Sequence, residues 1–358
     1  MIAQKGLELK KNFYLDESHF NDNFFRGLLK DLTDRLAYRT IYNRRNALVV
    51  IAEDSISDWI PTVYLKPNRW HYHVIGYYSK NGSGEFKHNG RKSKIKSKDF
   101  SNLISQNVVD SVIFMSKKNN WDIFLKYIEE AHIQGKTSHL YNCDSLESFL
   151  AYRSGLNKFE KMIKRMFDLF FSSIFLLVLS PLFIIIPILI RATSAGPIIF
   201  KQLRVGENGR IFTFYKFRTM IAGAHDKKQL FEHDNIMEGP VFKVRNDPRV
   251  TRIGRFLRVS SLDELPQLLN VIKGEMSLVG PRPPLPEEVA KYKNWQRKRI
   301  SVRPGLTCIW QVSGRSTINS FSKWVNMDIQ YINNYSLFLD LYLLLRTIPA
   351  VVSRRGAL

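Results

Sequence analysis

The residues best suited to chemistry lie in one stretch, residues 255–284, which reads RFLRVSSLDELPQLLNVIKGEMSLVGPRPP. Within it, Asp263 and Glu264 form an adjacent pair of carboxylates. A carboxylate can attack phosphorus and form an acyl phosphate. Its neighbour can hold Mg²⁺, because that ion prefers oxygen ligands. The alternative is structural, because Ser261 and Glu264 also match the spacing of a helix capping box.

Basic residues surround this carboxylate pair. Arg255 and Arg258 precede it, and Arg282 follows it in a rigid Pro-Arg-Pro turn. A short helix is predicted over Asp263–Lys273, so free backbone N–H groups at its start would add to anion binding. The stretch therefore predicts a device for phosphoryl transfer that acts on anionic substrates.

Further cations occur in short motifs outside this stretch. Lys216 and Arg218 belong to KFRTM, at the end of a hairpin predicted over Ile198–Phe217. Arg303 and Arg315 each lie in a glycine-containing loop, RPGLT and QVSGR. Each motif is weak evidence alone, but together they supply the cations that a diphosphate requires. The sequence shows no P-loop, no Ser/His/Asp set and no metal-ligating pair of histidines.

A long apolar segment is the element expected to hold these residues at a membrane surface. Leu169–Ile190 contains 22 residues without a charge. As a straight helix it would span about 33 Å, roughly the hydrocarbon core of a bilayer. Ser180 and Pro181 lie in its middle, and a proline interrupts helical hydrogen bonds, so a break is predicted there.

The charges that flank this segment bear on its topology. Basic residues occur on both sides, at positions 158, 161, 164, 165, 191, 201, 204 and 210. The positive-inside rule would place both flanks in the cytoplasm. A re-entrant membrane helix over residues 166–190 is therefore favoured over a kinked single span or a buried helix of a soluble core.

Composition narrows the class of partner. The chain has 358 residues, a net charge of +22 and 44% hydrophobic residues. Before Lys158 there are 23 basic and 17 acidic residues, giving +6, whereas 31 basic and 15 acidic residues follow, giving +16. A basic excess beside an apolar segment fits anionic lipids or phosphorylated substrates.

Nucleic acid is not expected as a partner, because no recognised nucleic-acid-binding motif occurs. Two cysteines are too few for a disulfide framework.

The N-terminal region has the pattern of an α/β domain. A helix is predicted over Asn119–Gln134, with Gly135 ending it as a C-cap. Residues 80–99 are interpreted as a basic, solvated loop. No glycine-rich fingerprint follows the first strand, so no dinucleotide cofactor is expected. Alternating strands and helices predict a Rossmann-like parallel sheet, with strands at Ala47–Ala52, His73–Tyr78, Val112–Met115 and Ser138–Tyr141.

Five segments follow from these patterns. The catalytic domain should be mainly α-helical and associated with the membrane. Residues 221–240 are expected to be mostly helical and then loop, and further helices are predicted over Glu287–Arg299, Phe321–Asn334 and Leu337–Val352. The segments are a leader and amphipathic helix (1–45), a Rossmann-like α/β domain (46–150), a linker with a basic membrane-proximal start (151–165), the re-entrant helix (166–190) and a catalytic domain at the cytoplasmic face (191–358).

The segment from about Lys161 to Leu345 resembles the catalytic domain of the bacterial polyprenyl-phosphate sugar-1-phosphate transferases, the monotopic phosphoglycosyl transferases. The resemblance covers roughly half of the chain, with the motifs in order. They are KRMFD (164–168), Ser180-Pro181, KFRTM (216–220), NDPRVTRIGRFLRVSSLDELPQL (246–268), GPRPP (280–284), RPGLT (303–307), QVSGR (311–315) and YINNYSLFLDLYLL (331–344).

This resemblance implies a specific reaction. A hexose-1-phosphate would pass from a UDP-sugar to undecaprenyl phosphate, with release of UMP, at the cytoplasmic face of the bacterial inner membrane. This would be the first membrane step of exopolysaccharide, capsule or O-antigen assembly. Asp263 would be the covalent nucleophile of a ping-pong mechanism, and Glu264 would help to bind Mg²⁺. The residues expected to bind the substrates and their phosphates are Lys216, Arg218, Arg258, Arg282, Arg303 and Arg315.

Two departures from the family pattern bear on these expectations. Long members of the family begin with a bundle of membrane helices, and the sequence shows the α/β domain but no such bundle. The domain is expected to act in regulation or dimerisation, so a homodimer is retained as a partner. Cys308 stands where the family often has glycine. The alternative to an enzyme is a membrane-anchored scaffold or nucleotide-sugar sensor, which would have no reason to keep the carboxylate pair and the cations at this spacing.

Overall fold

The computed structural model describes residues 45–51, 72–79, 84–88, 91–95, 99–116, 121–142, 148–152, 156–224, 229–245, 247–314 and 318–352. The leader and amphipathic helix predicted over residues 1–45 lie outside the described residues, except that Arg45 begins the first strand. The N-terminal part of the described chain forms one mixed sheet with helices, and the C-terminal part is mainly helical.

The sheet has seven strands in the order β4-β3-β2-β1-β5-β6-β7. β1 pairs in parallel with β2 and β5, and β5 pairs in parallel with β6, whereas the other neighbours are antiparallel. The four strands predicted from the sequence are confirmed and form this parallel centre, and the buried apolar runs of β1 and β5 suit strands covered on both faces. The strands are β1 (Arg45–Ile51), β2 (Tyr72–Ser79), β3 (Gly84–His88), β4 (Arg91–Ile95), β5 (Ser111–Ser116), β6 (Thr137–Asn142) and β7 (Ser148–Tyr152).

Two helices pack with this sheet. α1 (Phe100–Gln106) begins where the side chain of Asp99 accepts a hydrogen bond from the backbone N–H of Asn102. α2 (Leu125–Ile133) follows a 3₁₀ turn over Trp121–Phe124, so the helix predicted over Asn119–Gln134 begins with a tighter turn. Gly135, predicted to end this helix, adopts a left-handed φ of 68°.

The prediction of a solvated loop over residues 80–99 is wrong for its described part. β3 and β4 form an antiparallel hairpin at the edge of the sheet. A lysine-rich composition does not prevent the backbone from pairing, and lysines are common on edge strands because they discourage further pairing.

The apolar segment forms two helices, α3 (Lys158–Val178) and α4 (Leu182–Thr193), which are bent by 61° at the predicted break. α3 ends at Val178, and Pro181 caps the start of α4. Within the described ranges, no single helix is long and apolar enough to cross a membrane. α3 and α4 together are long and apolar enough, by length and composition alone. In the region predicted as a linker, β7 extends to Tyr152 and α3 starts at a capping box on Asn157.

The remaining chain begins with the predicted hairpin, which is confirmed as the antiparallel strands β8 (Ile199–Val205) and β9 (Ile211–Phe217). A second, two-stranded parallel sheet joins β10 (Ser277–Val279) and β11 (Gly305–Thr307). Six helices accompany these strands: α5 (Arg252–Val259), α6 (Gln267–Lys273), α7 (Pro286–Ala290), α8 (Ile309–Ser313), α9 (Phe321–Asn333) and α10 (Leu337–Val352).

Three helix predictions in this part have different outcomes. The helices predicted over Phe321–Asn334 and Leu337–Val352 are confirmed by α9 and α10. The prediction over 221–240 is wrong for the described residues, which contain only a 3₁₀ segment, Gln229–Asp234. The helix predicted over Glu287–Arg299 is broken, because α7 ends at Ala290 and a 3₁₀ segment starts at Asn294.

The N-terminal sheet contacts the turn of the β8–β9 hairpin through buried polar groups. Asp110 forms a bidentate ion pair with Arg210, with both oxygen–nitrogen distances at 2.6 Å, and accepts from Asn208 at 2.8 Å. Lys136 donates to Asn208 at 3.3 Å. Burial lowers the pKa of Lys136 to about 8, although the carboxylate of Asp110 opposes this shift. The hairpin that carries Lys216 is therefore held at its turn by the N-terminal domain.

Candidate active site

Asp263 and Glu264 lie on a 3₁₀ turn, Leu262–Glu264, between α5 and α6. The turn begins at Ser261, which adopts a left-handed φ of 57°, and no capping bond forms from the Ser261 side chain. The capping box that was the structural alternative for this pair is therefore absent. The helix itself starts at Gln267, so the carboxylate pair precedes α6 instead of opening it. The cause is Pro266, which has no N–H to donate to the carbonyl of the residue four positions earlier.

Lys216, at the open end of the hairpin, contacts both carboxylates. Its Nζ lies 2.7 Å from Oε1 of Glu264 and 3.4 Å from Oδ2 of Asp263. Nη1 of Arg282 lies 3.4 Å from the same oxygen of Glu264. Asp263 is buried, with 5% of its surface exposed. The structure therefore brings together four of the residues predicted from separate motifs.

The two carboxylates experience opposite electrostatic environments. Burial raises the pKa of Asp263, and the charge of Glu264 raises it further, while Lys216 and Arg258 act against this. Burial would also raise the pKa of Glu264, but Lys216 and Arg282 outweigh it and hold that pKa at about 2. Glu264 is therefore ionised at neutral pH. Divergent pKa values in neighbouring carboxylates are typical of groups with different chemical roles.

Arg258 and Arg218 extend the positive region away from the carboxylates. Nε of Arg258 donates to the hydroxyl of Thr219 at 3.0 Å, and the charge of Arg258 stabilises the ionised form of Asp263. Arg218 instead binds the end of α4, where its Nη2 donates to the carbonyl and the hydroxyl of Ser194, each at 2.7 Å. Arg258 thus serves the carboxylate pair, whereas Arg218 lies towards the apolar helices.

Of the other two predicted cations, the structure describes Arg303, which contacts a residue away from the carboxylate pair. Nε of Arg303 lies 3.6 Å from Oε2 of Glu207, at the turn end of the hairpin, whereas Lys216 lies near its open end. Burial lowers the pKa of Arg303 to about 10. Arg315 lies outside the described residues. A role for Arg303 in phosphate binding is therefore not supported by a contact with Asp263 or Glu264.

Two close approaches between backbones hold the loops that carry these side chains. A Cβ on Gly305 would lie 2.0 Å from the backbone nitrogen of Gly280, so the GPRPP and RPGLT loops cross at their glycines. A Cβ on Gly254 would lie 2.0 Å from the carbonyl oxygen of Thr219, which places α5 against the KFRTM segment. These contacts explain why small residues occupy these motifs.

Sequence reasoning missed two arginines that support the site. Arg204 donates to the carbonyl of Pro283 at 3.0 Å and lies over the ring of Phe214 at 5.3 Å. Arg299 donates to the carbonyl of Arg282 at 3.3 Å and forms a buried ion pair with Asp328 at 2.7 Å. Both therefore hold the GPRPP loop in place. Their only signal in the sequence was their charge.

The KRMFD motif at 164–168 fixes α3 to the same region. Arg165 donates to the last carbonyls of α6, at 2.5 Å from Val271 and 2.6 Å from Ile272. Asp168 accepts from the backbone of Leu278 at 3.0 Å. The apolar helix pair is thus tied by side chains to the helix that follows the carboxylate pair.

The donor set at the carboxylate pair fits Mg²⁺. This ion is commonly held by one or two carboxylates together with substrate phosphates. Asp263 and Glu264 supply two carboxylates, and Glu264 is held in its ionised form. Within the part of the chain that the structure describes, no group of three or more His, Cys, Asp or Glu side chains could hold a metal ion.

The carboxylate pair, with Asp263 buried and cations in contact with it, is a candidate site for phosphoryl transfer beside a bent apolar helix pair. The chain belongs to the bacterial sugar transferase family, whose sequence profile matches residues 159–354. The matched residues include α3, α4 and the whole candidate site, and exclude the N-terminal sheet.

Three relatives illustrate the match. The galactosyl transferase CpsE of Streptococcus agalactiae is 46% identical over 212 residues, which are 59% of this chain and 47% of the relative. The exopolysaccharide production protein ExoY of Rhizobium meliloti is 44% identical over 200 residues, or 55% of this chain and 88% of the relative. The undecaprenyl-phosphate galactose phosphotransferase of Salmonella typhimurium is 39% identical over 216 residues, or 59% of this chain and 44% of the relative. The chain thus spans about half the length of two of these relatives.

Proposed function

We propose that this protein transfers a hexose-1-phosphate from a UDP-sugar to a polyprenyl phosphate, such as undecaprenyl phosphate, and releases UMP. The observation that carries this proposal is the contact of Lys216 and Arg282 with a carboxylate pair that includes the buried Asp263. The names of the relatives support it, because they describe a galactosyl transferase, an undecaprenyl-phosphate galactose phosphotransferase and a protein of exopolysaccharide production.

In the first step, an oxygen of Asp263 bonds to the β-phosphorus of the UDP-sugar. The bond from that phosphorus to the bridging oxygen breaks, and UMP leaves with the electron pair. Lys216 and Arg282 face the developing negative charge, and one such interaction typically contributes about 10²–10³ in rate. In the second step, an oxygen of the lipid phosphate bonds to the same phosphorus and frees the carboxylate of Asp263.

Glu264 would help to hold Mg²⁺, which supplies positive charge against the diphosphate when bound. Glu264 remains ionised for this purpose because its pKa is about 2. Lys216 connects the two carboxylates and keeps Asp263 in place between the steps.

We further propose that the bent helix pair is re-entrant and that the candidate site faces the cytoplasm. α4 has 12 residues, so its length of about 18 Å is less than the hydrocarbon core of a bilayer. Several apolar side chains along both arms are exposed, including Met166, Phe170, Leu177 and Ile188, which favours contact with lipid. The N-terminal sheet is proposed to be Rossmann-like and to act in regulation or dimerisation.

The test measures UMP released from a panel of UDP-sugars by the full-length protein in membranes. With no lipid acceptor, we expect about one UMP for each active site, as a ping-pong burst requires. The mass of a hexose phosphate should appear on the peptide that contains Asp263. Asp263→Asn should abolish the burst and the adduct, and Glu264→Gln should weaken both, with partial recovery at higher Mg²⁺.

Two results would contradict the proposal. Transfer at the full rate by Asp263→Asn would indicate direct attack by the lipid phosphate. Binding of UDP-sugars without any release of UMP would favour the nucleotide-sugar sensor.

A further inference from the structure

Arg218 has hydrogen-bonding capacity that its structural contacts do not use. Its Nη2 serves Ser194, but its Nε and Nη1 are buried and have no hydrogen-bond partner among the residues described. The whole residue is only 6% exposed. A buried donor without a partner is unfavourable, and more so when it is charged. A side chain that only closed the end of α4 would not need to bury these two donors.

The guanidinium lies directly against a glycine. A Cβ on Gly196 would lie 2.3 Å from Nη1 of Arg218, and Gly196 adopts a φ of 116°, which other residues rarely adopt. A larger side chain at position 196 would therefore displace the guanidinium from its place beside Ser194.

Arg218 lies at the end of the apolar segment. Ser194, its partner, follows the last residue of α4, and Ile188 on that helix is 63% exposed. Burial and the charge of Arg191 lower the pKa of Arg218. Two positive charges thus lie together where an apolar helix ends, which suits a phosphate attached to a long apolar chain.

Arg218 is also close along the chain to Lys216, which contacts the carboxylate pair. It follows Lys216 by two residues, and its backbone N–H continues the hairpin ladder by donating to the carbonyl of Ile198 at 2.9 Å. Two residues of a strand span about 7 Å. A phosphate held at Arg218 would therefore lie near the phosphorus that Asp263 carries, without occupying the contacts of Lys216.

We infer that Arg218, with Arg191, binds the phosphate of the polyprenyl acceptor, whereas Lys216 and Arg282 serve the diphosphate of the donor. This inference rests on the proposed function, and it divides the cations between the two half-reactions. In the second half-reaction, an oxygen of the phosphate at Arg218 bonds to the phosphorus on Asp263. The bond between that phosphorus and the carboxylate oxygen breaks, and its electron pair returns to Asp263.

The experiment compares Arg218→Gln and Arg218→Lys with the wild type in the full-length protein. The UMP burst without acceptor reports the first half-reaction, and the KM for polyprenyl phosphate reports the second. We expect a burst within about twofold of wild type, and a KM at least about tenfold higher for Arg218→Gln, because one good charged contact is worth about 1.4 kcal/mol or more. Arg218→Lys should fall between the two, since it keeps a point charge without the planar fork.

The matched control is Arg346→Gln. Arg346 is an exposed arginine of α10 whose Nε donates to the hydroxyl of Tyr342 at 3.0 Å. This variant should show the wild-type burst and KM. An unchanged KM in Arg218→Gln would show that Arg218 only closes α4. A lost burst at an unchanged melting temperature would assign Arg218 to the donor.

A binding measurement separates this inference from the proposed function. Dodecyl phosphate should raise the melting temperature of the wild type more than dodecanol or inorganic phosphate does, and Arg218→Gln should lose that difference. If the wild type shows no burst with any UDP-sugar but retains this difference, the proposed function fails and the lipid-phosphate site stands. Equal shifts in wild type and Arg218→Gln would overturn the site.

Discussion

Lys216 is the side chain on which the electrostatics of the carboxylate pair depend, so Lys216→Met is the most informative change. Glu264 has a pKa of about 2 instead of the ordinary 4.5, with Lys216 as the larger of the two favourable charges. At about 1.4 kcal/mol for each pKa unit, this corresponds to on the order of 3 kcal/mol in favour of the ionised carboxylate. Without Lys216, burial should raise the pKa values of both Glu264 and Asp263.

The direction of the pH effect follows from which form is active. Both carboxylates act when ionised, so activity is present above their pKa values and is lost as the pH falls through them. In the wild type, the acid limb of the burst rate should lie above the ordinary pKa of an aspartate, about 4, because the pKa of Asp263 is raised. In Lys216→Met, this acid limb should move to higher pH by about one unit or more. The burst rate at pH values above the limb should fall by a factor of about 10²–10³ relative to wild type.

The assay measures the rate of the UMP burst without acceptor between pH 4 and 9. Lys216→Arg is measured in parallel. Because this variant keeps the charge, its acid limb should stay close to the wild-type pH. Lys273→Met is the matched control, because Lys273 is an exposed lysine that donates to the hydroxyl of Tyr215 on the same strand as Lys216, at 3.1 Å. An acid limb that stays at its wild-type pH in Lys216→Met would refute the electrostatic reasoning.

Three further predictions concern the framework. Single cysteines at positions 157 and 191, in a cysteine-free background, should both resist a membrane-impermeant thiol reagent in intact cells, and labelling of only one would establish a span. Asp110→Asn should lower the unfolding free energy by up to about 3 kcal/mol, because it removes the buried carboxylate that pairs with Arg210. Its UMP burst should stay at the wild-type amplitude, since every catalytic candidate lies after Lys158, and a lost burst in folded protein would show that the N-terminal domain contributes to the site. Gly254→Ala should lower the unfolding free energy by at least about 1–3 kcal/mol, and with it the melting temperature, because its Cβ would lie 2.0 Å from the carbonyl oxygen of Thr219. An unchanged melting temperature would contradict that contact.

Several local features could be predicted because their causes are local. Pro181 interrupts the apolar helix in the structure as the missing N–H requires, and Gly274 closes α6 with a left-handed φ of 82°. The hairpin over residues 199–217 follows from its apolar pattern around the turn at Gly206–Gly209. A hydrogen bond or a backbone angle within a few residues decided each of these features.

Other local predictions failed where two signals competed. Ser261 and Glu264 have capping-box spacing, but Pro266 stops the turn from becoming an α-helix, so the box does not form. The basic segment at residues 84–95 pairs into an edge hairpin, because strand pairing depends on a neighbouring strand that composition does not reveal.

The sequence by itself determined the identity of the motifs and the presence of a carboxylate pair, a broken apolar segment and an excess of cations. It could not determine which cation meets which carboxylate. Lys216 and Glu264 are 48 residues apart, and Arg299 reaches the loop of Arg282 across 17 residues. Arg303, from a motif as suggestive as that of Arg282, lies beside Glu207. These assignments depend on the packing of the hairpin, α5 and the crossing at Gly280 and Gly305. The interaction of two charges depends on their separation and burial, and only the tertiary structure sets those quantities.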